Sequence, residues 1–205
     1  MPKQTFFNLP ESKRQTLIDA AKKEFSRAPI YEASISNIVK SAGIPRGSFY
    51  QYFEDKEDAF IFLLEEHAAK RQKNFVSILK NYNGDIFEAM VEMYKVMLNG
   101  LPNQENRSFL KNAFLNMTHR TEKTISRIFN DTESNGHLKE INLEINREKL
   151  NVTNDREFYH VMQIITAVTC SNFVERFAKD LSCEEAINNY TMEMNLLKVG
   201  LYKRI

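Results

Sequence analysis

Tryptophan is absent from this 205-residue chain, and glycine (6), proline (5) and cysteine (2) are scarce. Each shortage excludes something. Two thiols, Cys170 and Cys183, do not make a disulfide framework, and they lack the CxxC spacing of a metal site. The few glycines form no phosphate-cradling loop. The longest wholly apolar run, residues 59–64 (AFIFLL), is far too short to span a bilayer. The opening stretch MPKQTFFNLPESKRQ has no signal-peptide core. The expectation is a cytoplasmic protein in a reducing setting, with no membrane partner. The four histidines are scattered, and no HExxH, paired-carboxylate or nucleophile-elbow pattern occurs. No catalytic residue, metal or cofactor is expected, and the chain is read as a non-enzyme.

What is present is helical spacing almost everywhere, so the expected class is all-α. Residues 34–56 read SISNIVKSAGIPRGSFYQYFEDK. Ile35, Ile38, Val39 and Ala42 recur at i, i+3, i+4 and i+7, one face of a short helix. Ser34 stands where its hydroxyl can cap that helix. Gly43 supplies the positive φ that ends it. Ile44 follows as a buried plug, and Pro45 opens a second short helix at its first position. Two short helices across a glycine turn are a common way to lay a helix in the DNA major groove. Charge supports this locally. Residues 1–56 carry nine Lys/Arg against six Asp/Glu, while the remainder carries nineteen against twenty-one. Phosphate contacts need local rather than global charge.

A first helix is predicted over about 10–26, with Leu17, Ile18, Ala21 and Phe25 inward. A long helix begins at Asp55, with Asp58 completing a capping box, and breaks at Asn81, Asn83 and Gly84. Further helices are predicted over about 85–99 and, as a pair, 104–130. Residues 131–154 are polar and read as an irregular connection or a partly exposed helix. Asn154 with Glu157, and Ser182 with Glu185, cap the last two helices. The penultimate helix is apolar on too many sides for one stripe. Either the last two helices pair with a second copy as a four-helix bundle, giving a homodimer, or they fill the monomer core.

From Lys13 to Phe62 the chain resembles the tetracycline-repressor (TetR, AcrR-like) family of bacterial transcriptional regulators. The resemblance rests on KRQTLIDAAKKEF, ISNIVKSAGIPRGSFYQYF and EDKEDAF. It implies a helix-turn-helix domain over 1–54 and a helical effector-binding and dimerisation domain over 55–205. It also implies a transcriptional repressor, bound to a palindromic operator in double-stranded DNA and released by a small-molecule effector. By position, Arg46, Gly47 and Ser48 would face base edges, and Tyr50, Gln51 and Tyr52 would meet phosphates or a thymine methyl. Lys56 would lie near a phosphate, and Ser34 and Ser36 would touch the backbone. The family often has a long basic residue where Ser36 stands and a polar one where Pro45 stands, so this operator should differ. Phe49 and Phe53 turn inward as core. For the effector, large adaptable residues suggest a mainly apolar molecule, with Phe87, Met90, Tyr94, Phe114, Met117, Met162 and Thr166 as candidate pocket; at helical spacing such residues are more often plain core than pocket. The competing reading is an all-α small-molecule-binding or enzymatic protein whose helix-turn-helix head does not read DNA.

Overall fold

The computed structural model describes residues 1–100, 104–130 and 136–201, and all regular structure among them is helical. In chain order the helices are α1 (Gln4–Phe7), α2 (Glu11–Arg27), α3 (Ile35–Ala42), α4 (Arg46–Tyr52), α5 (Lys56–Asn81) and α6 (Ile86–Asn99). There follow α7 (Gln104–Leu115), α8 (His119–Asn130), α9 (Gly136–Glu144), a 3-10 turn (Arg147–Lys149), α10 (Asp155–Ala178) and α11 (Cys183–Leu201). The polar stretch read as an irregular connection or a partly exposed helix holds α9 and the 3-10 turn. The expected break at 101–102 and the residues 131–135 lie outside the described residues.

The chain forms two compact units. Unit 1 comprises residues 1–67 together with α7 and the start of α8, to Thr124; unit 2 comprises the rest. Both α5 and α8 therefore contribute residues to each.

Unit 1 is built on α2. Leu17, Ala21 and Phe25 are at most 2 % exposed, while Ile18 is only half-buried at the stripe's edge. Helix α3 packs on α2 through Ile38 and Val39, and α7 through Phe109, Leu110 and Ala113. The Phe60 ring lies 5.2 Å from both Phe25 and Phe109, joining α5 to this core. Helix α7 also closes the end of α2. Asn112 Nδ2 donates to Phe25 O at 2.9 Å and to Ser26 O at 3.3 Å. These are carbonyls that a helix terminus otherwise leaves unpaired.

Unit 2 packs α11 against α6 and α10. Tyr94 of α6 lies with its ring 4.8 Å from Phe173 and 4.3 Å from Tyr190, and the Tyr190 hydroxyl pairs with Thr169 at 2.8 Å. The expected caps form. Asn154 accepts from Glu157 N at 3.0 Å, and Ser182 Oγ accepts from Glu185 N at 3.1 Å while Glu185 reaches back to Ser182 N at 2.9 Å. The turn between α5 and α6 needs glycine at 84, where φ is +72°. A Cβ there would lie 2.6 Å from Asn146 N and Glu144 O, inside a backbone-to-backbone contact.

Candidate nucleic-acid interface

Helix α3 ends where Gly43 adopts φ 66° and ψ 32°, and Ile44 N donates back to Val39 O at 3.0 Å. This is the left-handed ending that an L side chain resists. Ile44 is half-buried, less enclosed than its expected role as a plug. Pro45 has ψ 146° and is the N-cap of α4 rather than its first residue. Its carbonyl accepts from Ser48 N at 3.0 Å, so Pro45 frames the helix start from outside.

The entry into α3 also differs from expectation. Ser34 makes no side-chain cap. Its backbone N–H instead donates 2.8 Å to Glu24 Oε1 from the neighbouring α2. Glu24 is 5 % exposed and is surrounded by donors. Arg27 gives it two bonds of 2.9 and 2.7 Å, and Asn37 Nδ2 lies 3.2 Å from each oxygen. The Arg27 bonds hold its carboxyl below the usual glutamate range, with burial opposing and Ser34 and Asn37 assisting. One buried carboxylate thus fixes the start of α3 to the end of α2.

Phe49, fully buried, sets the rotation of α4. With that face inward, Arg46, Gly47, Tyr50 and Gln51 lie exposed, at two i, i+4 spacings on one surface, and Ser48 and Tyr52 flank it half-buried. A Cβ added at Gly47 would meet nothing within 4 Å. Arg46 is held ready: its Nη1 donates 2.9 Å to Ser36 Oγ, across the turn on α3. The expected phosphate ligands are partly spoken for. Lys56 Nζ donates 2.9 Å to both Tyr31 O and Ala33 O, tying the start of α5 to the loop before α3. An ammonium has three donors, so one remains for an anion.

Three features of this site carry no linear signal. One is Glu24. The second is Arg120 on α8, whose guanidinium reaches Asp55 at 3.0 Å, Glu57 at 2.9 Å and Asp58 at 2.6 Å. It therefore clamps the first turn of α5, where Asp55 Oδ1 caps Asp58 N at 2.8 Å. The third is α1. A four-residue helix leaves no periodicity to find, yet Phe6 is fully buried, 5.1 Å from the rings of Phe53 and Phe62.

The candidate effector residues do not all belong together. Phe87, Met90 and Tyr94 on α6 are buried in unit 2, where Met162 is half-buried and Thr166 donates to Met162 O at 2.8 Å. Phe114 and Met117 belong to unit 1, and Met117 is 39 % exposed. The Tyr94 hydroxyl is buried without a hydrogen-bond partner among the described residues.

Residues 17–61 match the family model described as bacterial regulatory proteins, tetR family. Residues 85–201 match the tetracyclin repressor-like C-terminal domain. Among curated proteins, the chain is 39 % identical over 66 residues to the HTH-type transcriptional regulator YdgC of Bacillus subtilis (strain 168), covering 32 % of this chain and 34 % of that one. It is 32 % identical over 65 residues to the HTH-type transcriptional repressor NemR of Escherichia coli (strain K12), covering 32 % and 33 %. The matched stretch thus spans about a third of the length of these relatives. The fold is similar to that of SmeT, the repressor of the Stenotrophomonas maltophilia multidrug efflux pump SmeDEF. The two superimpose with a TM-score of 0.66 at 12 % identity, over 93 % of this chain and 90 % of that one. With the two family models together covering most of its length, this chain belongs to the TetR family of bacterial transcriptional regulators.

Proposed function

We propose that this protein is a dimeric transcriptional repressor that reads a palindromic operator with α4 and leaves it when a small, mainly apolar effector binds. The observation that carries the reading is the surface of α4. It presents Arg46, Gly47, Tyr50 and Gln51 outward, and Ser36 orients the arginine. Arg46 has the fork geometry to donate to guanine O6 and N7. Tyr50 and Gln51 reach phosphate or a thymine methyl, and Ser34, Pro45, Ser48 and Tyr52 border the same face. Lys56 offers its remaining donor to a phosphate. We assign the reading role to residues 1–54 and the effector and dimer roles to 55–205; compact unit 1 is larger because α7 completes its core. The role is one of binding rather than catalysis, and it places the protein with DNA in the cytoplasm. No helix among the described residues is long and apolar enough to cross a membrane.

Support for the dimer comes from apolar side chains left in water. Met192, Leu196 and Val199 of α11 are 65, 69 and 73 % exposed, and Ile164 of α10 is 42 % exposed. The first three recur at i, i+4, i+7, a stripe that a partner helix covers. A two-fold dimer suits a palindromic site. For the effector, the support is the aromatic and methionine core of unit 2, where the Tyr94 hydroxyl stands ready to orient a ligand.

The test is selection of bound fragments from random DNA at near-physiological salt, with wild type and Arg46→Ala in parallel. An enriched palindrome that loses one specified base per half-site in the variant supports the reading. Identical enrichment by both proteins removes Arg46 from the interface.

A further inference from the structure

A helix leaves its last four carbonyls without intrahelical partners. In α4, only seven residues long, those four are more than half the helix. Each has a partner. Phe49 O accepts from Phe53 N at 2.9 Å, the chain's own continuation. The other three are taken by the segment before α2. Tyr50 O accepts from Lys3 Nζ at 2.9 Å. Gln51 O accepts from the Thr5 hydroxyl. Tyr52 O accepts from Lys3 N at 2.8 Å. The segment is itself fixed, because fully buried Phe6 sits between Phe53 and Phe62.

We propose that Lys3 and Thr5 are positioning residues for DNA recognition: they hold the carboxyl end of α4, and so set how Arg46 and Tyr50 at its other end and middle meet base edges. This rests on α4 being the reading helix. Seven residues do not sustain a helix in water by themselves, so the end of α4 takes its geometry from whatever binds those carbonyls. The Lys3 ammonium adds a cation where the helix dipole is negative, favouring that end further. Bidentate recognition of a base tolerates little displacement of the arginine, since hydrogen bonds weaken steeply with distance and angle. Loosening the end of α4 should therefore cost base discrimination first. Phosphate attraction, being long-ranged, should persist.

The two side chains are exposed, so their replacement should leave the fold of the 205-residue chain intact. Lys3→Met, Thr5→Val, the double variant, Lys3→Arg and Arg46→Ala are compared on the selected operator, on half-sites carrying single-base changes, and on unrelated DNA, across a salt series. The expected result is that the double variant loses about tenfold in discrimination between operator and single-base variants, within the range of one good base contact. Affinity for unrelated DNA and the salt slope stay at wild-type values, and Lys3→Arg restores discrimination. Unchanged discrimination in the double variant overturns the proposal. So does a salt slope reduced by about one per half-site with discrimination intact, because Lys3 would then be a phosphate contact. A parallel drop in all DNA binding with a lowered melting temperature also overturns it, as the segment would then serve folding alone. If Arg46→Ala itself keeps full discrimination, Arg46 does not read bases from α4, and this proposal, which has Lys3 and Thr5 setting how it does so, fails with it.

Discussion

A carboxylate with 5 % of its surface exposed needs donors, and Glu24 has them from Arg27, Ser34 and Asn37. Hydrogen bonds to a charged group contribute roughly 1.5–3 kcal/mol each to stability when well formed. Glu24→Gln keeps the shape, removes the charge and turns one acceptor into a donor facing donors. The variant is expected to lose about 2 kcal/mol in denaturant unfolding. The sign of the pH effect follows from the direction of the shift. The folded-state value is lowered, so the stabilisation is complete above the ordinary glutamate value of about 4.3. It is lost as pH falls through that value toward the folded one. The gap between wild type and Glu24→Gln should therefore be full at pH 7 and narrow below about pH 4.3; a gap that widens on acidification would contradict this account. Ser36→Ala tests a second residue. It frees Arg46 from its hydrogen bond across the turn, and should weaken operator binding by about threefold to tenfold with stability unchanged, a typical cost for one hydrogen bond. At this scale the sequence was legible where local spacing decides. Phe49 and Phe53 turned inward as their positions required. Glu24 and Arg120 were not legible, because their partners lie in other helices and no periodicity marks a buried ion.

Two glycines sit four residues apart around α4 and do opposite things. Gly43 occupies a left-handed conformation with open space around it, so alanine there meets only the backbone penalty, about 1–2 kcal/mol. Gly47 lies inside α4, again with open space, and alanine should stabilise the helix by up to about 1 kcal/mol. The expected outcome is that Gly43→Ala melts lower and Gly47→Ala melts slightly higher. Gly47→Ala should nonetheless bind operator less well, because its new methyl occupies the space a base edge takes. Thermal melting and operator titration of the same preparations check both; a Gly47→Ala protein with full affinity would move the groove face elsewhere on α4. The helix-turn-helix was readable almost residue by residue, since Gly43, Pro45 and the 3.6-residue stripe of α3 are local signals. The misplacements have local causes too. Pro45 fell outside α4 because its extended ψ suits a cap, and at Ser34 the backbone N–H, held by Glu24 of α2, anchors the helix start in place of a hydroxyl cap. Helix α1 has no signal in the sequence because four residues carry no period, and its anchor lies in the Phe6 contacts with Phe53 and Phe62.

The largest readable feature of the whole molecule was its helical class, and the least readable was which helices share a core. The aromatic stretch of α7 looked like part of the body, yet Phe109 closes over Phe60 in unit 1. The exposed stripe of α11 makes a prediction at this scale. Replacing Met192 and Leu196 together with glutamate puts charge into the surface proposed for the dimer while leaving the buried Tyr190 and Met194 untouched. Sedimentation should then show a single chain, and operator affinity should fall far more than for Arg46→Ala in one half-site, because both half-sites are no longer held at once. A variant that stays dimeric would point to another interface. The interleaving of unit 1 along the chain also has a genetic consequence. No single crossover frees the reading head, since the stretch to residue 67 lacks the α7 residues that cover Phe25 and Phe60. Hybrids between relatives that exchange only the leading part of the gene should be destabilised, because the α7 of one parent then packs on the α2 and α5 of the other. Hybrids that also exchange the distant stretch 102–124 should stay soluble, so operator specificity in such a lineage passes on as two linked blocks of inheritance rather than one.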